Sequence, residues 1–274
     1  MYNLNIMKHM PAKNRKRLVL ETLKKNGGIK IAELAENLNK SRMTITRDLD
    51  ELADKGLLLR VHGGAVSNIS TSYEPPYYSR KGLRNEVKQA IASVANDLIT
   101  EGNTLILDVG STTRELALFL KNRKNLTVIT PSLEHAMELA INSAIKLIVT
   151  GGIVRMGEMS LVGPISESSI KEFNVDKAFI GAGGVDLKAG LTEYNTEDAQ
   201  VKKYIIENCR QSIVLADSTK LGKVTLSNVI SMEKIDILIT DSEAEPAFIE
   251  GLEEMGVQVL ITKNYKSEVY EKLA

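Results

Sequence analysis

The chain has 274 residues, 43% of them hydrophobic and 26% charged, and its 35 basic and 35 acidic side chains cancel to a net charge of zero. That length supplies one large domain with a smaller one beside it, no apolar run is long enough to span a bilayer, and the first ten residues lack the apolar stretch of a secretion signal. The single cysteine, Cys209, excludes an internal disulfide and a cysteine metal cluster, and the lack of Trp with only 4% aromatics argues against a binder that stacks single-stranded bases.

A cytoplasmic location with no membrane partner is therefore the expectation. Zero net charge hides an asymmetry. Residues 1–66 hold 13 Lys+Arg against 7 Asp+Glu, leaving 22 against 28 for the remainder. A basic small module is joined to an acidic large one. Residues 1–10 are assigned no role, because Met7 and Met10 also offer starts and the readable pattern begins near Arg15.

From Arg15 to about Lys55 the apolar spacing is helical: Leu18 and Leu23, then Leu34 and Leu38, then Ile45, Leu49 and Leu52. Gly27-Gly28 and Gly56 act as helix stops. A short helix over 31–38 ends at Asn39-Lys40, and Ser41 stands where an N-cap belongs, its hydroxyl placed for the first free N–H groups of a second helix. Two helices joined by so short a turn predict a helix-turn-helix at 29–48. Setting Ile45, Leu49 and Leu52 inward puts Met43 and Arg47 on the opposite face, with Thr44 and Thr46 on the flanks. Asp48, Asp50, Glu51 and Asp54 crowd the later turns, so the helix would enter a DNA major groove by its N-terminal end, where Ser41 and Arg42 also lie. Arg47 suits either a guanine edge or a phosphate, and the two readings stay open.

The stretch LLLRVHGGAV (57–66) alternates around a Gly-Gly turn and reads as a hairpin. It completes a winged helix with Arg60 and His62 at the wing; His62 is a candidate backbone contact or an incidental surface histidine. Residues 67–85 are polar, carry Pro75-Pro76 and have no core period, which predicts a linker.

After Asn85 helices and strands alternate. A helix at 86–100 precedes strand 104–110, a helix at 113–120 precedes strand 127–130, and a helix near 133–143 precedes strand 146–150; later strands fall at 177–182, 212–217, 236–241 and 257–262. Apolar strands separated by helices predict a mostly parallel sheet covered on both faces. Four loops follow strands: Gly110-Ser111-Thr112-Thr113, Gly151-Gly152 with Arg155 close behind, Gly181-Ala182-Gly183-Gly184, and Asp217-Ser218-Thr219-Lys220. In a parallel sheet these carboxyl-end loops converge on one edge, where α/β folds bind ligands. Hydroxyls and free N–H groups at a helix start suit an anion, and Arg155, Lys202 and Lys220 add charge. The chemistry fits a small phosphorylated ligand. GAGGVD (181–186) has Asp186 where a dinucleotide fingerprint needs its third glycine, and no P-loop is present, so no cofactor is implied.

The ordered motifs ELAENLNKS (33–41), T-I-x-R-D-L (44–49) and GLLLRVHGGAV (56–66) resemble the N-terminal domain of the DeoR family of bacterial transcriptional regulators. The family usually has two arginines before the Asp-Leu, and here the first is Thr46. LDVGSTTRELA (107–117), TVITPS (127–132), TGG (150–152), SLVGP (160–164), DKAFIGAGGVD (176–186), GLTEYN (190–195) and LADSTKLGK (215–223) are similar to the family's sensor domain, with Pro131 where Asn is common. The resemblance implies an α/β sensor related in fold to ribose-5-phosphate isomerase and CoA transferases. It adds Asp108, Ser111, Thr112, Gly152, Arg155, Gly181, Glu193, Lys202, Asp217 and Lys220 as pocket candidates, beside Gly110 and Thr113. Asp108 and Asp217 would meet sugar hydroxyls; Ser111, Thr112 and a lysine would meet the phosphate. The implied protein is a repressor of a carbohydrate operon that binds double-stranded operator DNA as a dimer or tetramer and is relieved by a phosphorylated sugar. The competing reading, a sugar-phosphate isomerase with an appended DNA-binding module, lacks the tight acid cluster its chemistry needs, so no catalytic residue is assigned. The expected organisation is a winged helix-turn-helix at 12–66, a linker at 67–85, an α/β effector-sensing domain at 86–262 and a tail at 263–274.

Overall fold

Residues 10–26, 28–54, 57–61, 63–66, 71, 74–75 and 77–262 are described by a computed structural model; His62 and the tail 263–274 lie outside them. The chain divides into two compact units, 1–75 and 76–274.

In the first unit, helices α1 (Ala12–Asn26), α2 (Ile31–Asn37) and α3 (Arg42–Asp54) close around Val19, Leu23, Leu34, Leu38, Ile45, Leu49 and Leu52, which are the positions that helical spacing turns to one face. The wing is a sheet of three strands, one more than the alternating pattern predicts. Strand β1 (Gly28–Lys30) pairs antiparallel with β3 (Gly64–Val66), which pairs with β2 (Leu59–Val61). Three residues between two helices carry too little pattern to announce a strand. Gly64 is what admits it, since a Cβ there would lie 2.1 Å from the Ile29 carbonyl oxygen.

In the second unit, a short helix α4 (Tyr77–Lys81) precedes α5 (Asn85–Asp97), so residues 77–81 of the polar stretch are helical. The central sheet has seven strands in the order β15-β14-β12-β9-β4-β5-β6, all paired in parallel. These are β4 (Thr104–Leu107), β5 (Leu126–Thr130), β6 (Ile145–Val149), β9 (Val175–Gly181), β12 (Cys209–Leu215), β14 (Ile237–Asp241) and β15 (Gln258–Thr262). Their side chains alternate between two cores. Ile106, Ala178, Ile180, Val214 and Leu238 face one cluster. Leu105, Leu107, Phe179, Ile213, Leu215, Ile237 and Ile239 face the other. Burial on both faces explains why these strands read as unbroken apolar runs.

Helices α5, α6 (Ser111–Leu120) and α7 (Leu133–Leu139) supply Ile91, Leu116 and Leu139 to the second cluster, whereas α8 (Pro164–Lys171), α9 (Thr196–Glu207) and α10 (Pro246–Glu254) supply Ile170, Ile205 and Leu252 to the first. Two antiparallel additions sit beyond the strand ends: the pair β7 (Ile153–Arg155) and β8 (Ser160–Val162), and a three-stranded sheet of β10 (Gly184–Asp186), β11 (Gly190–Glu193) and β13 (Ser227–Ile230). From β4 the chain moves outward through β5 and β6, then returns to place β9 on the other side of β4. The topological switch therefore lies between β4 and β9, where an open α/β sheet leaves a crevice at its carboxyl edge.

Candidate nucleic-acid interface and ligand site

Helix α3 begins where Ser41 caps it: Ser41 Oγ accepts the Thr44 N–H at 3.1 Å and lies 2.8 Å from Thr44 Oγ1. Arg42, Met43 and Arg47 are exposed, Met43 to 68%, while Thr44 and Thr46 are half-buried. Thr46 Oγ1 donates to the Arg42 carbonyl at 2.9 Å, so its hydroxyl is engaged within the helix. An exposed methionine between two exposed arginines could meet thymine methyls in a major groove. Three carboxylates of the helix's acidic half are paired from within the unit. Arg15 grips Asp48 through Nε and Nη2, the latter at 2.9 Å, Lys16 pairs with Glu51, and Arg60 Nε donates to Asp50 at 2.8 Å. Arg60 also donates to the Gly64 carbonyl at 2.6 Å and braces the wing against α3.

The second site starts at the switch point. Asp108, fully buried just beyond β4, accepts the Gly181 N–H at 2.9 Å through Oδ2 and the ammonium of Lys202 on the same oxygen. Gly181 must be small there, because a Cβ would sit 2.7 Å from the Val109 carbonyl oxygen. Asp108 Oδ1 is buried without a hydrogen-bond partner among the described residues, an unsatisfied acceptor of the kind a ligand hydroxyl would meet.

Helix α9, capped by Asn195 on the N–H groups of Glu197 and Asp198, carries Asp198 and Lys202 one turn apart on its buried face. Lys202 reaches Glu193 Oε2 at 3.3 Å as well as Asp108, and Arg155 pairs with Asp198. Burial alone would lower the Lys202 pKa, but the Asp108, Glu193 and Asp198 charges outweigh it and hold the ammonium above its ordinary range.

Helix α6 opens at Gly110, whose φ of 142° is open to glycine and strained for other residues, and Ser111, Thr112 and Thr113 form its buried first turn. Thr113 Oγ1 donates to the Gly110 carbonyl at 3.0 Å, and the buried His135 approaches the same carbonyl at 3.3 Å. Burial pushes the His135 pKa down to about 4, so the ring is neutral. The first N–H groups of α6 point along the helix axis with the positive end of its dipole.

A group of cations gathers around Asp217 and Arg80. Lys88 is only 4% exposed and donates to the Arg80 carbonyl. Lys223 donates to Tyr194 Oη at 2.8 Å, and the Lys220 and Lys223 ammoniums lie 5.7 and 5.1 Å from the Tyr194 ring centroid. Burial, with repulsion from neighbouring cations, lowers Lys88 and Lys223 each to about 8. Asp217 Oδ1 accepts the Thr219 N–H at 2.9 Å and shapes the loop that carries Lys220. Arg84 links Asp217 at 4.0 Å to Asp241 at 3.2 Å. Cations crowded together at the cost of lowered pKa values make a candidate anion site.

The residues expected from the strand-end loops fall into three groups. Asp108, Gly181, Glu193 and Lys202 share one hydrogen-bonded cluster, with Arg155 joined to it through Asp198. Gly110 and Ser111 to Thr113 form the helix start, and Asp217 with Lys220 forms the loop after β12. Gly152, at φ 121° with Cβ space closed by the Val162 carbonyl at 2.6 Å, shapes the chain between β6 and β7 and offers no side chain. Sequence reasoning passed over Arg80, Lys88, Asp198, Tyr194, Lys223 and His135. Lys88 did carry a signal: it shares the α5 face of Ile91, Ala92 and Ala95, where a lysine has no reason to be unless it is paired.

Comparison with known proteins finds two family models in order along the chain: a DeoR-like helix-turn-helix domain over residues 15–71 and a DeoR C-terminal sensor domain over residues 84–242. The HTH-type transcriptional regulator GlpR of Haloferax volcanii is 35% identical over 252 residues, covering 92% of this chain and 98% of that protein. The glycerol-3-phosphate regulon repressor of Escherichia coli is 32% identical over 241 residues, covering 88% and 95%. Among solved structures, ribose 5-phosphate isomerase A of Methanocaldococcus jannaschii matches half of this chain and 54% of its own at 25% identity, with a TM-score of 0.38.

Proposed function

The chain belongs to the DeoR family of DNA-binding transcriptional regulators, and from that premise we propose that it represses a carbohydrate-related operon and releases its DNA when a small phosphorylated sugar or polyol binds the second unit. The observation that carries the ligand class is the group of Lys88, Lys220 and Lys223, whose charges act on one another and on Arg80 and Asp217. A phosphate dianion there would meet several ammonium groups together. The unsatisfied Asp108 Oδ1 then lies on hand for a hydroxyl of the same ligand. Ser41, Arg42, Met43, Thr44, Thr46 and Arg47 form the groove-reading surface, with phosphate contacts setting register and Arg47 reading a base edge. Half-sites are read in pairs by a dimer or tetramer.

The isomerase reading is not favoured. Asp186, one of the two carboxylates available as a base, accepts the Lys188 and Ala189 N–H groups at 2.9 and 2.8 Å in the β10–β11 turn. Glu193, the other, holds the Tyr194 N–H at 2.8 Å and Lys202. Neither is left as a free base, and the relatives named above are regulators. Separate substitutions test the division of labour. Arg47→Ala is expected to lower operator affinity about tenfold or more with glycerol 3-phosphate binding unchanged, and Lys220→Ala to do the reverse. A variant of either kind that damages both activities equally overturns the assignment.

A further inference from the structure

Arg60 stands in β2, the strand that leads into the wing turn, where a basic side chain invites a phosphate contact. Its guanidinium is instead committed within the unit. Nε donates to Asp50 Oδ1 at 2.8 Å, and Nη1 donates to the Gly64 carbonyl at 2.6 Å. The first bond reaches α3 and the second reaches the start of β3, so one rigid planar group joins the helix to the wing. Asp50 lies three residues after Arg47 and four after Thr46, one turn further along the same side of α3. A bare carboxylate there would repel a DNA phosphate; paired with Arg60, its charge is offset. The wing turn is tied from its other side as well, because the Gly63 carbonyl accepts the Ile31 N–H of α2 at 2.9 Å. The turn thus hangs between α2 and α3, and its tie to α3 runs through the Arg60 side chain. The Arg60 and Asp50 side chains are 29% and 53% exposed, and an ion pair so open to water adds little to stability. What it does fix is geometry.

We propose that Arg60 is a positioning residue for DNA reading: by holding Asp50 and the Gly64 carbonyl together it sets where the wing lies relative to the reading surface of α3, and it acts on operator affinity through Asp50 and not by touching a phosphate. This rests on the assignment of α3 as the reading helix. The two roles for Arg60 differ in sign at Asp50. Were Arg60 a phosphate contact, Asp50 would compete for it, and losing that carboxylate would tighten DNA binding. With Arg60 as a brace, losing Asp50 releases the wing and weakens binding, even though a negative charge has left the DNA-binding unit.

Fluorescence anisotropy of the full chain on a labelled duplex from upstream of its own gene cluster, with a random duplex of equal length as reference, tests this. Asp50→Ala and Arg60→Ala are each expected to weaken specific binding about fivefold, at melting temperatures that match the wild type, as suits a part-exposed pair. The double variant is expected to be no weaker than either single, since both changes cut the same link. Arg60→Lys keeps the charge but not the fork that holds two partners, so it is expected to lose affinity much as Arg60→Ala does. Tighter or unchanged binding by Asp50→Ala overturns the proposal, as do additive losses in the double variant or wild-type binding by Arg60→Lys. In each of those cases a loss of specific binding in Arg47→Ala leaves the reading of α3 standing. A wild type that does not prefer the upstream duplex, together with an Arg47→Ala variant that binds it equally well, removes the reading of α3 and the brace together.

Discussion

Lys88 shows how one buried side chain would set the conditions under which the proposed ligand site works. Its ammonium, like that of Lys223, loses its proton near pH 8 instead of above 10, first because burial strips its hydration and then because other cations stand near. A phosphate ester takes its second negative charge near pH 6. Below that the ligand is a weaker anion, and above about pH 8 the site loses positive charge. Phosphate-ester affinity is therefore expected to peak between the two and to fall as pH rises through 8, by up to about tenfold per pH unit for each lysine whose proton is required. Titration calorimetry at intervals from about pH 6 to pH 9 checks this, and affinity flat through pH 9 would remove the lysines from the site. The loops with Ser111, Thr112 and Gly181 were legible from sequence because small and hydroxyl residues directly after apolar strands have few other uses. Lys223 and Arg80 were not, since each acts through a neighbour far away in the chain, Tyr194 for the one and Glu158 for the other.

At the scale of elements, α3 is the proposed reading helix, and its start is capped by Ser41. Replacing Ser41 with Ala removes the side-chain acceptor for the Thr44 N–H. The expected cost is about 1 kcal/mol of stability in the first unit, with ligand binding unaltered. Urea unfolding of the variant beside the wild type measures it, and no loss would mean that the cap is not engaged in solution. Helices α1 to α3 and α5 to α7 and the parallel strands were readable because amphipathic stripes and doubly buried strands leave strong periodic patterns, whereas α8, α9 and α10 were read only as unspecified connections between strands. Strands β1, β7, β8, β10, β11 and β13 escaped, being only three or four residues long and too short for alternation to stand out. Helix α4 escaped for a different reason. Its five residues are tied down largely by Arg80, Lys81 and the buried ring of Tyr77, so no apolar period announces it, and a Pro-Pro pair just before it looks like the middle of a linker.

The molecule as a whole is electrically divided. The excess of basic residues over 1–66 supplies attraction to the DNA backbone that weakens steeply with salt, while the remainder carries an excess of acidic residues. In the proposed function, operator binding and ligand binding would meet as a coupling free energy, typically about 1–3 kcal/mol, or roughly a five- to 150-fold change in DNA affinity. Fluorescence anisotropy of the full chain on labelled DNA from upstream of its own gene cluster, at moderate salt and with a panel of sugar and polyol phosphates, tests this most directly. The account predicts specific binding that one phosphorylated compound weakens and its unphosphorylated counterpart does not. Specific binding that no phosphorylated compound in the panel alters, or that the bare sugar alters equally, would contradict it.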